Sequence, residues 1–396
     1  MYKKLMLLIF VSQTFVLLYG QTSRTITGHV FSQVDLLPVP YAEVTIRGTT
    51  TGTITNTEGR FILAGQFSGK DTICIFHLNY EPKKIAVTEL KQEENLIVME
   101  PRVFALDEVT VQAESVVKIL KHSIISSREA IVYPLRLGTY YREFVKEDQH
   151  YTKFSDGLID YDLLEFSDKM KTRVRVNQSR AFALKSETDE KINFDLNSPL
   201  DVGKALNPFF LERLEQIAKD SDHYLFNIFK QLSEKGNKLL EISFTPCPEN
   251  TEPFFEGTVI IDEATKLILS FTCRLEQNPD KQSKEKNFVL LKGKVTQFDS
   301  TVLYKLSETR YEPWYTGIQI GIRFWNNKKF DHTFLFTSDL VANSFLQSGF
   351  EPVSNKEAYN RKALYPLGSN FHSAYWKDQN TIQLTEEEEN IIKSLQ

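Results

Sequence analysis

Between residues 224 and 340 the chain is a succession of β-runs separated by short polar breaks, and this pattern constrains the fold more than any other. Runs at 224–229 and 238–244 flank Ser233-Glu234-Lys235-Gly236-Asn237. Runs at 254–261 and 267–274 flank Asp262-Glu263-Ala264-Thr265-Lys266. Further runs at 288–296, 302–311, 318–325 and 333–338 extend an antiparallel meander. Such a sheet must cover one face. Two segments are expected to do so. The first has Ser115 as N-cap and carries Val117, Leu120, Ile124 and Ile131 before Pro134. The second spans 199–219, with Ser198-Pro199 and Asn207-Pro208 as helix starts and Leu211, Leu214 and Ile217 on one face. With a strand at 139–145 and more strands over 150–195, residues 115–376 read as an α+β domain built on a curved antiparallel sheet.

Residues 21–100 read differently. Tyr41-Ala42-Glu43-Val44-Thr45-Ile46-Arg47 alternates with period two, and Asn56-Thr57-Glu58-Gly59 is a turn. About seven short strands fit here, which predicts a small two-sheet β-sandwich. Residues 101–114 form a linker that becomes extended at 108–111. Residues 377–396 are a tail with a short helix. Thr385-Glu386-Glu387-Glu388 is a capping box, Ile391, Ile392 and Leu395 form an apolar stripe, and the glutamate run reads as a solvated helix start. The expected fold is mainly β with some α. The 29 Phe and 16 Tyr agree with large sheet cores.

Residues 1–20 read as a signal peptide. Lys3 and Lys4 precede an apolar stretch, and cleavage is expected between Gly20 and Gln21. The stretch is shorter than the roughly 20 residues a spanning helix needs, and no later segment qualifies. Localisation is therefore expected in the periplasm or at the outer-membrane periphery. The formal net charge is −5. Removing two lysines with the leader leaves 45 basic against 52 acidic residues, or −7, with no basic stripe, so nucleic acid is not expected as a partner.

No arrangement of reactive residues stands out. The seven His are scattered without an i,i+4 pair, and no P-loop, Gly-x-Gly-x-x-Gly or Gly-x-Ser-x-Gly occurs. Asp156, Asp160, Asp162 and Glu165 are dense but lack EF-hand spacing, so they read as a solvated acidic face. No catalytic, cofactor or metal residue is assigned. Cys74 reads as a core residue, while Cys247 and Cys273 flank a hairpin and are either paired or separate. The ligand candidates are Tyr311, Trp314, Tyr315 and Trp325. Exposed, they would stack on sugars or contact lipid; buried, they are sheet core, and core is the favoured reading.

A resemblance rests on Thr27-Gly28-His29-Val30, Pro40-Tyr41-Ala42-Glu43-Val44-Thr45-Ile46, Thr55-Asn56-Thr57-Glu58-Gly59-Arg60-Phe61 and Asn79-Tyr80-Glu81. Residues 25–114 resemble the carboxypeptidase D regulatory-like domain, a non-catalytic prealbumin-like sandwich common in exported proteins of Bacteroidota. Leu106-Asp107-Glu108-Val109-Thr110-Val111 resembles the segment that joins this domain to TonB-dependent receptor plugs, although no plug or long barrel follows. Tyr140-Tyr141-Arg142-Glu143 and Trp376-Lys377-Asp378-Gln379-Asn380 are similar to segments of uncharacterised proteins of the same bacteria. The meander around Gly257-Thr258-Val259-Ile260-Ile261-Asp262 looks like a lipoprotein-carrier half-barrel, an analogy of fold alone.

Three functions compete. The first is a non-enzymatic envelope protein with a binding or assembly role toward a glycan, a lipid, or outer-membrane or periplasmic proteins. The second is an interaction module that docks a partner of an outer-membrane complex along an open strand edge. The third is a hydrolase acting on peptide or glycan, which would need convergent polar groups in one cleft.

Overall fold

The computed structural model describes residues 22–49, 51–91, 94–102, 107–109, 113–166, 170–183, 198–232, 238–278, 280–281, 283–287, 291–306, 310–326, 330–364, 376 and 379–395. The expected leader with Gly20 and Gln21, the 233–237 turn and residues 103–106 and 110–112 of the expected linker lie outside them. Among the described residues the chain is mostly β, in three open sheets.

The first seven strands are β1 (Thr22–Ser32), β2 (Glu43–Ile46), β3 (Gly52–Ile54), β4 (Arg60–Phe67), β5 (Thr72–His77), β6 (Tyr80–Ala86) and β7 (Asn95–Met99). They form a three-stranded sheet, β4-β1-β7, facing a four-stranded one, β3-β2-β5-β6. Alternation puts Ile26, Val30, Val44, Phe61, Leu63, Ile73, Ile75 and Ile97 between the sheets. Cys74 sits one residue out of phase with Ile73 and Ile75 and is half-buried instead of joining that core. Gly59, at φ +75°, turns the chain at the end of the Asn56 turn, where Asn56 Oδ1 accepts the amides of Glu58 and Arg60.

The expected linker does not simply cross to the second unit. Its β8 (Asp107–Val109) pairs with β12 (Tyr224–Leu232) and forms one edge of the large sheet. Helix α1 (Ala113–Ala130) takes in Ser115, which therefore is not its N-cap. Strands β9 (Leu135–Glu147), β10 (His150–Phe166) and β11 (Met170–Ala183) follow. Helix α2 (Glu212–Lys219) is short. The expected 199–219 helix is interrupted because Pro208 opens a 3-10 turn over Asn207–Phe210, and Leu211 then turns left-handed at φ 59°.

After β12 come β13 (Lys238–Pro246), β14 (Phe255–Asp262), β15 (Ile268–Leu275), the two-residue β16 (Lys286–Asn287), β17 (Lys292–Leu306), β18 (Tyr311–Trp325) and β19 (Asp331–Leu346). The runs expected at 288–296 and 302–311 are largely one strand, since β17 continues through a bulge near Val295 rather than turning. The sheet order β11-β10-β9-β19-β18-β17-β15-β14-β13-β12-β8 places the early strand β9 beside the last strand, β19. The tail ends in α3 (Glu386–Leu395).

Helices α1 and α2 cover one face of this sheet. Leu120, Ile124, Phe209, Leu214 and Ile217 meet Ile242, Phe244, Val259, Phe271 and Val302, and Ser127 Oγ accepts the Ile268 amide at 2.9 Å. Of the four residues expected to lie in a solvated acidic face, Glu165 is exposed, but Asp156 and Asp162 are buried, Asp160 is half-buried, and all three aspartates are ion-paired. Asp162 is held by Arg136 Nε at 2.6 Å, Asp156 by Arg180 Nε at 2.8 Å, and Asp160 by Arg175 Nη2 at 2.6 Å. Three carboxylates clustered on one strand select guanidinium partners on the neighbouring strands, because an unpaired buried charge is far costlier. Cys247 and Cys273 are both buried and not bonded to each other. No helix among the described residues is long and apolar enough to cross a membrane.

Leu120 is fully buried between α1 and the sheet. Leu120→Ala should lower the unfolding free energy by about 2–5 kcal/mol, read by urea denaturation, with an unchanged m-value.

Candidate functional site

One cross-strand row on the face opposite the helices contains a residue from each of ten strands. Asn227, Ser243, Thr258, Thr272, Thr301 and Gly317 run from β12 to β18, each opposite the next. Asp339, Arg142, Asp156 and Arg180 continue the row from β19 to β11. The row changes character midway. Its first half is small and mostly hydroxylic, with Thr258 and Thr272 hydroxyls 2.9 Å apart. Its second half is a ladder of alternating charge under the sandwich and tail.

The ladder is tightly bonded. Arg142 Nε donates to Asp339 Oδ2 at 2.7 Å, and Nη1 donates to Glu388 Oε2 at 3.2 Å. Tyr315 OH donates to Asp339 Oδ1 at 2.6 Å, and Tyr140 OH donates to Asp156 Oδ2 at 2.9 Å. The Arg180 guanidinium lies 4.4 Å from the Trp376 ring centroid. Burial opposes the charge on Arg142, but the carboxylates of Asp339 and Glu388 outweigh it and hold its pKa above the ordinary arginine value. Burial raises the Tyr140 and Tyr315 phenols well above their usual range, with the adjoining aspartates adding to the effect.

The tail locks this region to the sandwich. Asn380 Oδ1 accepts the Ala64 amide at 2.7 Å, and Asn343 Nδ2 donates to Asn380 O at 2.7 Å. Thr53 Oγ1 donates to Thr381 O, and Asn56 Nδ2 donates to Gln383 O, both at 3.1 Å. The capping box forms: Glu388 N donates to Thr385 Oγ1, and Thr385 N donates to Glu388 Oε2. Glu388 is only 8% exposed and does not belong to a solvated helix start.

Where the row changes character, the sandwich and tail overhang the sheet and enclose a cleft of about 530 Å³. Its floor is Asp299 and Thr301 of β17, Gly317 and Gln319 of β18, Thr337 and Asp339 of β19, and Arg142 of β9. Its walls are Tyr41, Thr57 and Glu58 of the sandwich and Thr385, Glu387 and Glu388 of the tail. Tyr41 is left-handed, at φ 60°, a strained conformation for a bulky residue. The strain is held by Thr55, whose hydroxyl accepts the Ala42 amide and donates to Val39 O, both at 2.8 Å. This places the Tyr41 ring 5.2 Å from that of Tyr315. Burial, then the Asp339 charge, pushes the Tyr41 phenol up to about 12, so at neutral pH it presents a hydroxyl that can donate and accept. Lys146 Nζ sits 3.5 Å from Glu387 and 4.1 Å from the Tyr151 ring centroid. The cleft has five carboxylates against two cations. A second hollow of about 450 Å³ adjoins it over Thr258, Thr272 and Arg274, sharing Asp299, Ser300 and Thr301.

The four ligand candidates lie on β18 but do not form a shared surface. Tyr311 is in the main core, donating to Ile268 O at 2.6 Å. Trp314 packs with Ile54 in the contact between sandwich and sheet. Trp325 is half-buried at the far end of the strand. Tyr315 alone reaches the cleft. Arg142, Asp339 and Glu388 escaped the sequence reading because they are distant in the chain. The one local signal was a pair of charges, Arg142 and Glu143, inside the aromatic Tyr140–Phe144 run.

Among known families, residues 26–111 match the CarboxypepD_reg-like domain. No curated protein matches the chain. A solved lipovitellin structure concerned with lipid–protein interactions is similar at 8% identity and TM-score 0.23, covering 64% of this chain and 29% of that one. A LolA superfamily protein from Nitrosomonas europaea is similar at 8% identity and TM-score 0.17, covering 61% of this chain and 96% of that one. Neither structural likeness bears on function at these scores.

Arg142→Ala would leave Asp339 and Glu388 facing each other without a cation, which should cost about 3–5 kcal/mol in urea unfolding. Gly317→Ala should break the Tyr315–Asp339 bond, since a Cβ there would lie 2.3 Å from the Tyr315 hydroxyl. Tyrosinate absorbance should show Tyr41 protonated well above the ordinary value of about 10. Its folded pKa is raised, so its contribution to stability is complete below pH about 10 and lost between about 10 and about 12.

Proposed function

We propose that this chain is an exported, non-enzymatic binding protein of the bacterial envelope, of the kind found in Bacteroidota, and that the cleft between sandwich and sheet is its ligand site. The observation that carries this reading is the division of labour in the cleft. The buried charges of Arg142, Asp339 and Glu388 are satisfied by one another, while Thr301, Gln319, Thr337 and the Tyr41 and Tyr151 rings line the open volume. Hydroxyls and a planar amide beside aromatic rings suit a neutral polyhydroxylated ligand, a glycan, which is held by hydrogen bonds and ring stacking. The excess of carboxylates disfavours phosphorylated or sulfated ligands. A lipid is the weaker candidate, because the side of the sheet facing the helices is packed with side chains such as Phe209, Phe244 and Phe271.

The leader supports export, and the match to a regulatory-like domain supports an accessory rather than a catalytic role. The polar groups at the base of the cleft hold one another in place, which suits rigid recognition better than proton transfer.

Titration calorimetry of the mature chain against neutral and sulfated oligosaccharides tests the reading. Saturable binding of a neutral oligosaccharide is expected, weakened about ten-fold by Gln319→Ala through the loss of roughly one net hydrogen bond. Binding that is indifferent to Gln319→Ala, a preference for the sulfated set, or co-purification with extractable lipid would overturn it.

A further inference from the structure

The sandwich exposes two strand edges on the same side, and they are built differently. The β6 edge contains Pro82, Lys83 and Lys84, residues that obstruct pairing by a foreign strand. The β7 edge contains only Asn95-Leu96-Ile97-Val98-Met99. It runs parallel to β1, and no described strand pairs with the other side of β7 itself, whereas just beyond it the Glu81 amide of β6 donates to Glu100 O at 2.7 Å. Met99 O accepts the Gln33 amide at 2.9 Å, so the alternation of a parallel ladder turns the amides and carbonyls of Leu96 and Val98 outward.

The side chains alternate in the same way. Asn95, Ile97 and Met99 are buried, whereas Leu96 is 73% and Val98 38% exposed. The loop after β1 also exposes apolar side chains, Val34, Leu36 and Leu37, at 60–80%. Leu36 is left-handed, at φ 55°, and is held there by its amide donating to Ser32 O and by Ser32 N donating to Leu37 O. Backbone strain is thus spent on presenting apolar side chains to solvent.

Charge identifies the occupant. Exposed Glu94 and Glu100 bracket the strand, and Asp35 lies in the loop. Of the cations on this side, Lys83 and Lys84 stand on the adjoining β6 edge, Lys91 lies beyond Glu94, and the Arg102 side chain is buried 3.8 Å from Glu81. A second copy of β7 laid antiparallel about Ile97 would set Glu94 against Glu100 at both ends, a repulsive pairing. We propose that β7 is an acceptor edge for an extended segment of another protein, with apolar residues at alternate positions and Lys or Arg at each end. Main-chain bonds would supply affinity, and Leu96, Val98 and the glutamates would supply selection.

The test uses the mature chain and two labelled peptides, Lys-Val-Thr-Val-Thr-Val-Lys and its glutamate-ended counterpart, read by fluorescence anisotropy. The basic peptide should bind saturably and at least about ten-fold more tightly than the acidic one. Val98→Lys should abolish binding, while Val132→Lys, at an exposed position on the second unit, should not. Reversing both ends with Glu94→Lys and Glu100→Lys should invert the preference between peptides. Circular dichroism confirms that each variant is folded. No binding, equal binding of both peptides, indifference to Val98→Lys, or a solution dimer that Leu96→Lys dissociates would each overturn the proposal.

Discussion

Arg142 is the interaction on which the arrangement of the two units depends. It lies in the middle of β9, bonds Asp339 on the neighbouring strand, and reaches Glu388 in the tail helix. A guanidinium with 5% of its side chain exposed is tolerable only when several acceptors surround it. Two of those acceptors come from the most distant parts of the chain. The same demand that satisfies the charge therefore brings the tail down onto the sheet. The tail in turn bonds Ala64, Thr53 and Asn56 of the sandwich.

The sheet needs this arrangement because its two faces are unequal. The face under α1 and α2 is apolar and filled. The other is amphipathic along its own width: the β9–β11 and β19 side carries Tyr140, Leu158, Val341 and the ion ladder, which the sandwich and tail cover. The β14–β17 side carries threonines and charged pairs, which an antiparallel sheet can leave facing water. The cleft lies at the boundary between these two regimes. Its walls are rigid for a local reason, since the Thr55 hydroxyl holds the Tyr41 turn and the capping box holds Glu388.

Much of the architecture was legible in the residues. Period-two patterning located most strands of the meander, the Asn56 turn and the two-sheet sandwich, and Thr385 with Glu388 gave the tail helix start. The failures have physical causes. Phe298-Asp299-Ser300 looks like a break because its polar residues interrupt an apolar run, yet Asp299 faces the cleft and the strand continues through it. Pro208 marks a helix start, but the left-handed Leu211 prevents a single helix. The aspartates of β10 look solvated because their arginine partners lie 15 to 26 residues away, on other strands.

By itself, then, the sequence determined the local elements, because alternation, capping and turn chemistry act over a few residues. It also determined that the chain would build sheets in two units, since these β-runs have no other way to bury their aromatic side. Only the tertiary structure decided which polar residues meet. The cross-strand row depends on strand order and register, which place β9 beside β19 across nearly two hundred residues. It likewise decided that Tyr315 borders a cleft while Tyr311 and Trp314 lie in cores. A one-residue change in register exchanges the faces of a strand, and register is fixed only once the strands are packed together.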